Sequence, residues 1–184
     1  SAIPISLNNY FRIDTVLPEI TAVELSTSNS GVTDISNSTK LLVRDNDTLQ
    51  IHFVTHERII GTDNSSHGPK VIFFWDNQTR TADSITGTKD NFTATYRIKT
   101  SEANLEKDID YRITIHDPSG NKQEYQNSAG LISKTLSLGK SFRLDTVAPE
   151  INVVRLSTDN QGILDSDRQS TLIGRDNNTL TLNF

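Results

Sequence analysis

The chain repeats itself. Residues 11–20 read FRIDTVLPEI and residues 142–151 read FRLDTVAPEI, an offset of 131. The offset holds without a gap to the end: RDNDTLQIHF at 44–53 returns as RDNNTLTLNF at 175–184. Laid over one another, residues 1–53 and 132–184 share 24 identities in 53 positions. A fixed period constrains the fold before any residue is assigned, because each unit is one module that meets its neighbours in the same way every time. The 184 residues are one unit of 131 and the first 53 residues of the next. Tandem near-copies of this size build stalks and arrays far more often than enzymes.

Within the unit the hydrophobic period is two, not 3.6. In residues 48–54, Leu49, Ile51 and Phe53 alternate with Gln50 and His52. In 91–99, Phe92, Ala94, Tyr96 and Ile98 alternate with polar residues, and in 109–116 so do Ile109, Tyr111, Ile113 and Ile115. Each segment predicts a strand with one buried and one wetted face. Residues 71–75, VIFFW, are apolar throughout and predict a central strand or one covered on both faces. Ile20, Val23 and Leu25 after Pro18 predict a first strand with a bulge near Ala22. Between these runs, 61–69, 86–90 and 117–121 carry turn chemistry. Residues 101–108 predict at most one helical turn capped by Ser101. About seven strands with regular turn signals predict an all-β, immunoglobulin-like Greek-key sandwich. Trp75 on the third strand then fills the space between sheets, and Tyr111 is a candidate tyrosine corner, the other reading being a plain core aromatic.

Composition removes most function classes. Ser, Thr and Asn supply 57 residues and apolar types only 34%, the profile of a thin-cored secreted-type β module. With no Cys there is no disulfide scaffold, thiolate metal site or Cys nucleophile. A net charge of −5 argues against nucleic acid as a partner. No run approaches the ~18 apolar residues of a membrane helix, so this segment is not expected to insert into a membrane. The absence of Met implies a fragment or a processed product, with Ser1 a candidate scar. No nucleophile elbow, phosphate loop or paired catalytic carboxylates occur, so no enzymatic activity is expected.

Three segments carry a family likeness: Asp14-Thr15-Val16-Leu17-Pro18 with its copy at 145–149; residues 25–34, LSTSNSGVTD, followed by DNDTL at 45–49; and residues 110–121, DYRITIHDPSGN. Together they resemble the tandem bacterial Ig-like repeats of giant RTX-type and biofilm-associated surface adhesins. The unit is longer than the ~100 residues usual for an immunoglobulin-type domain, with the surplus in 55–70 and 122–140. Leu131, Ile132, Leu136 and Leu138 suggest an added strand there.

The resemblance implies calcium, which takes ~6–8 oxygen ligands, at loops and unit junctions. Asp117 and Asn121 flank a turn, and Asp145 leads into the next unit, so the three are expected to converge at one junction, with Asp14 the equivalent of Asp145 at the other end. Asp34, Asp45 and Asp47 are candidates at loop ends, with Asp165 and Asp176 as second-unit copies. Asp and Asn also dominate turns for backbone reasons alone. Six Asn-x-Ser/Thr sequons, at Asn37, Asn46, Asn64, Asn77, Asn91 and Asn177, exceed chance only mildly. His52, His56, His67 and His116 are scattered and read as surface residues; Trp75, Tyr10 and Tyr125 are candidate stacking surfaces or core residues.

The expected organisation is residues 1–13 as the end of a preceding unit, 14–141 as the sandwich, and 142–184 as the first strands of the next. A split frame formed by about 54–184 is the alternative. The resemblance implies an extracellular, bacterial-surface extender whose partners are neighbouring repeats, with the host or surface ligand bound by other domains. A module that itself binds a glycan or host protein is the alternative, and an accessory domain of a secreted enzyme a third.

Overall fold

The computed structural model describes residues 13–29, 32–34, 36–59, 68–99, 105–127, 134–135, 139–159 and 177–184. Among them the chain is all-β, in two compact units, Ser1–Val147 and Ala148–Phe184.

In the first unit, β1 (Ile20–Thr27), β4 (Thr48–Thr55), β8 (Asn91–Arg97) and β7 (Ser84–Thr88) form a four-stranded sheet in the order β1-β4-β8-β7. All its pairings are antiparallel, and the register of β1 on β4 slips between Ile20 and Ala22, the expected bulge. The second sheet is built around β9 (Glu106–His116). Residues 112–116 of β9 pair with β10 (Lys122–Gln126), 106–109 with β12 (Ser141–Asp145), and 110–114 with β5 (Lys70–Trp75). The two-residue β11 (Lys134–Thr135) extends β10, and β6 (Gln78–Thr81) extends β5. Beyond β12 lie β3 (Asn37–Val43), paired parallel, and β2 (Thr33–Asp34). The boundary that the repeat suggests between 141 and 142 falls inside β12.

The period-two pattern decides which side chains form the core. Leu49, Ile51 and Phe53 of β4, Phe92, Ala94 and Tyr96 of β8, Val71, Phe73 and Trp75 of β5, and Ile109, Tyr111, Ile113 and Ile115 of β9 are all buried in one cluster. The two sheets meet through aromatic rings: Tyr96 of β8 lies 5.6 Å from Phe73 and 5.7 Å, edge-on, from Trp75 of β5. Each such side chain contributes about 1.5–3 kcal/mol by leaving water.

Of the two readings of the apolar run 71–75, the central strand holds: β5 lies between β6 and β9. It is not covered on both faces, since Ile72 and Phe74 are half-buried and Arg112 lies over the Phe74 ring at 5.3 Å. Three expectations need correction. Residues 86–88 are not turn but the end of β7; the turn is at Lys89 and Asp90, with Lys89 at φ 61. Residues 106–108 open β9, because pairing with β12 outweighs their weak helical preference. Tyr111 is not a tyrosine corner: its hydroxyl is buried and meets no hydrogen-bond partner among the described residues, and burial pushes its phenol above its ordinary pKa. Tyr125 of β10 makes the tie instead. Its hydroxyl accepts from the Ile20 amide at 3.0 Å and lies 3.4 Å from the Pro18 carbonyl.

In the second unit, β13 (Arg155–Thr158) pairs antiparallel with β14 (Leu180–Asn183). Leu156 faces Leu182 and Thr158 faces Leu180. Subtracting 131 from each number gives Leu25 facing Ile51 and Thr27 facing Leu49, the register of β1 on β4. The local pairing thus repeats with the sequence. The burial does not: Leu182 is 57% exposed and Phe184 85%, where Ile51 and Phe53 are fully buried.

Candidate metal centre

The candidate site begins with the turn that closes β9. Pro118 cannot donate a backbone hydrogen bond, and Gly120 sits at φ 88, which favours glycine. The chain reverses around the Asp117 carboxylate. Oδ1 accepts the amides of Ser119 (2.8 Å) and Asn121 (2.9 Å), and Oδ2 accepts Asn121 Nδ2 (2.7 Å). Asp117 is fully buried. Burial alone would raise its pKa; the bonds from Asn121, Ser119 and Gly120 outweigh it and hold the carboxyl below its ordinary value. A buried, ionised carboxylate is the outcome.

The same Asn121 amide reaches the segment that leads into the unit. Nδ2 lies 3.1 Å from the Asp14 carbonyl and 3.2 Å from that of Val16. Asp14 in turn accepts the Val16 amide at Oδ1 (3.1 Å). The third member arrives from the end of β4. The His56 amide bonds to the Glu19 carbonyl (2.8 Å) and the Thr55 hydroxyl to the Glu57 carbonyl (2.6 Å), which draws Glu57 alongside the lead-in segment.

Asp14, Glu57 and Asp117 then each offer an oxygen within 4.8 Å of the other two. This is the group among the described residues whose acidic side chains could share an ion. Two ligands each ~2.4 Å from a cation lie at most ~4.8 Å apart, so the spacing fits one ion. The donors are carboxylates, with backbone carbonyls nearby and no His or Cys, which suits a hard cation such as calcium and not a soft metal. Three clustered carboxylates repel one another, and a divalent cation would relieve that repulsion.

Of the residues singled out in the sequence, Asp14, Asp117 and Asn121 come together. Asp145 does not join Asp117. It pairs with Glu106 at one end of β9, while Asp117 follows His116 at the other, about 35 Å away along an extended strand. Its Oδ1 accepts the Val147 amide (3.2 Å), the same local turn that Asp14 makes with Val16. Asp34 belongs to an ion-pair cluster. The Ser36 hydroxyl and amide, followed by Arg143 and Lys40, hold its carboxyl below the ordinary value. Arg143 also pairs with Glu106 and Asp108. Asp47 closes the turn between β3 and β4, accepting the Arg44 amide at 2.9 Å, and Asp45 is half-buried in that turn, its Oδ1 without a hydrogen-bond partner among the described residues. Asp165 and Asp176 lie outside the described residues, as do Tyr10, His67, Asn64 and the run 101–104 with Ser101. Leu131, Ile132, Leu136 and Leu138 do too.

Glu57 was not legible as a site residue. It stands next to His56, and the pair invites comparison only with a zinc-protease helix. Its proximity to Asp117 is purely tertiary. The two candidate stacking surfaces among the described residues are occupied: Trp75 is buried with the Arg80 guanidinium 3.6 Å from its ring, and Tyr125 is buried and bonded to the lead-in segment. His52 is half-buried and bonded to Thr93 (3.2 Å), and His56 is exposed. No protein-family model matches the chain, and no curated protein matches it.

Proposed function

We propose that the chain is a non-catalytic extender module of a long bacterial surface adhesin, an immunoglobulin-like unit repeated in tandem and stiffened by calcium where the chain passes into it. The observation that carries this reading is the meeting of Asp14 with Asp117 and Glu57. Two of the three family-like motifs, DTVLP and DPSGN, are far apart in sequence and adjacent in space. An ion held there would bridge the lead-in segment and the body of the unit, which is what a stalk under tension requires.

The immunoglobulin-like assignment rests on strand order. A four-stranded sheet β1-β4-β8-β7 facing one centred on β5 and β9 matches an A-B-E-D sheet over a C-F-G sheet, with β6 beside β5 as an extra edge strand. Recognition of host or surface ligands then belongs to other domains. The glycan-binding alternative is less favoured because Trp75 and Tyr125 offer no free ring face.

The test is a pair of thermal melts of the whole chain, in millimolar calcium and in chelator. Binding to the folded state stabilises by about 2.7 kcal/mol when free ion stands ~100-fold above Kd. A higher Tm in calcium is expected, and superimposed melts would remove calcium from the reading.

A further inference from the structure

The lead-in segment is held by side chains as well as by any ion. Between residues 14 and 20, Asn121 Nδ2 bonds the carbonyls of Asp14 (3.1 Å) and Val16 (3.2 Å). The Tyr125 hydroxyl bonds the Ile20 amide (3.0 Å) and lies 3.4 Å from the Pro18 carbonyl. These four backbone groups alternate along the chain, and their partners are two positions on one turn and strand, 121 and 125. Side-chain burial holds only the end of this stretch, at Pro18 and Ile20; before it, Ile13 is 89% exposed, Val16 69% and Leu17 53%. Residues 14–17 are thus fixed through their backbone, with little help from packing.

We infer that Asn121 and Tyr125 form a backbone clamp that sets the direction in which the chain enters the unit, and that the clamp works without an ion. Asn121 has a second task in this arrangement. Its Nδ2 also bonds Asp117 Oδ2 (2.7 Å), so one amide couples the clamp to the carboxylate group. It is a positioning residue: it brings the Asp14 backbone to Asp117 without being needed as a ligand. Tyr125 acts further along, where the segment becomes β1, and its ring is anchored in the core with 2% exposure. The local turn between Asp14 and Val16 recurs between Asp145 and Val147, so the sequence encodes the turn and the clamp encodes its orientation.

The inference rests on the extender reading for its biological sense, but its test is separate. The chain has no Cys, so Val16→Cys in the whole chain takes a single nitroxide on an exposed side chain whose backbone carbonyl is one of the clamp's contacts. In chelator, the label should be strongly immobilised in the otherwise native chain. Asn121→Ala should free it, with rotational correlation time falling several-fold, while amide exchange of Leu49, Ile51 and Phe53 in the core stays slow. Tyr125→Phe keeps the packing and removes only the hydroxyl. It should lose exchange protection at the Ile20 amide while the same core amides keep theirs, a readout that also serves if Asn121→Ala unfolds. A label already free in chelator, a label equally immobile in Asn121→Ala, or an Ile20 amide indifferent to Tyr125→Phe would overturn the clamp. Addition of calcium reports on the metal reading alone: an immobile label that calcium does not affect leaves the clamp standing and the ion unsupported.

Discussion

The side-chain amide of Asn121 lies 3.1 Å from the backbone carbonyl of Asp14, a residue 107 positions earlier in the chain. Closing so long a loop costs only logarithmically more than closing a short one. The sandwich, however, has already brought the two ends together, since β1 and β10 are both ordered by the core. The contact is therefore a consequence of the fold that needs only one correctly placed amide.

The core gives the largest single-residue effect. Phe53 is fully buried and stacks on Phe92 at 5.5 Å. Phe53→Ala is expected to cost about 3–5 kcal/mol, read as a lower urea midpoint with an unchanged m-value.

Gly87 is a backbone case. It sits at φ 146, and a Cβ there would meet the Asn91 carbonyl oxygen at 2.1 Å, a backbone atom that cannot swing aside. Gly87→Ala should destabilise by more than ~1 kcal/mol, although it adds one methyl group to a turn-side strand. Chemical denaturation of the purified variant is the check.

Arg143 gives the contrasting surface case. It bonds Asp34, Glu106 and Asp108, but Glu106 and Asp108 are each 55% exposed. Solvent screening limits such pairs to about 0–1 kcal/mol each. Arg143→Ala should cost little, and less still in 1 M salt, where the screening length is ~3 Å. Melts at low and high salt would show the difference closing.

Acid stability follows from the sign of the carboxylate shifts. Asp117, Asp34 and Asp108 all lie below their ordinary value of 3.8 in the folded chain. A lowered folded pKa adds stability that is fully present above the ordinary value and is lost as pH falls through the folded one. Stability should hold from neutral pH down to the ordinary carboxylate range and fall below pH 3.8. Asp117→Asn should flatten that decline, since its share no longer titrates. Urea midpoints across the acid range give the comparison.

The sheets were legible in the sequence because alternation is local: residues 48–54 announce a half-buried strand whatever they pair with, and β4 is that strand. The same holds for the bulge near Ala22, which follows from where Ile20, Val23 and Leu25 must point. What periodicity cannot give is which ends of different strands meet. Asp14, Asp117 and Asn121 were readable as turn-bound oxygen donors, but Asp145 looked equivalent and sits at the far end of β9. Glu57 carried no local mark at all, because only the packing of β4 against the lead-in segment gives it a role.

The most direct measurement is calorimetric titration of calcium into the whole chain and into Glu57→Gln, which removes one carboxylate charge from the group at a half-buried position. The native chain is expected to bind calcium, and Glu57→Gln to bind it at least tenfold more weakly while keeping its fold, a loss of about 1.4 kcal/mol. No calcium binding by the native chain, or equal binding by Glu57→Gln, would contradict an ion held by Asp14, Glu57 and Asp117.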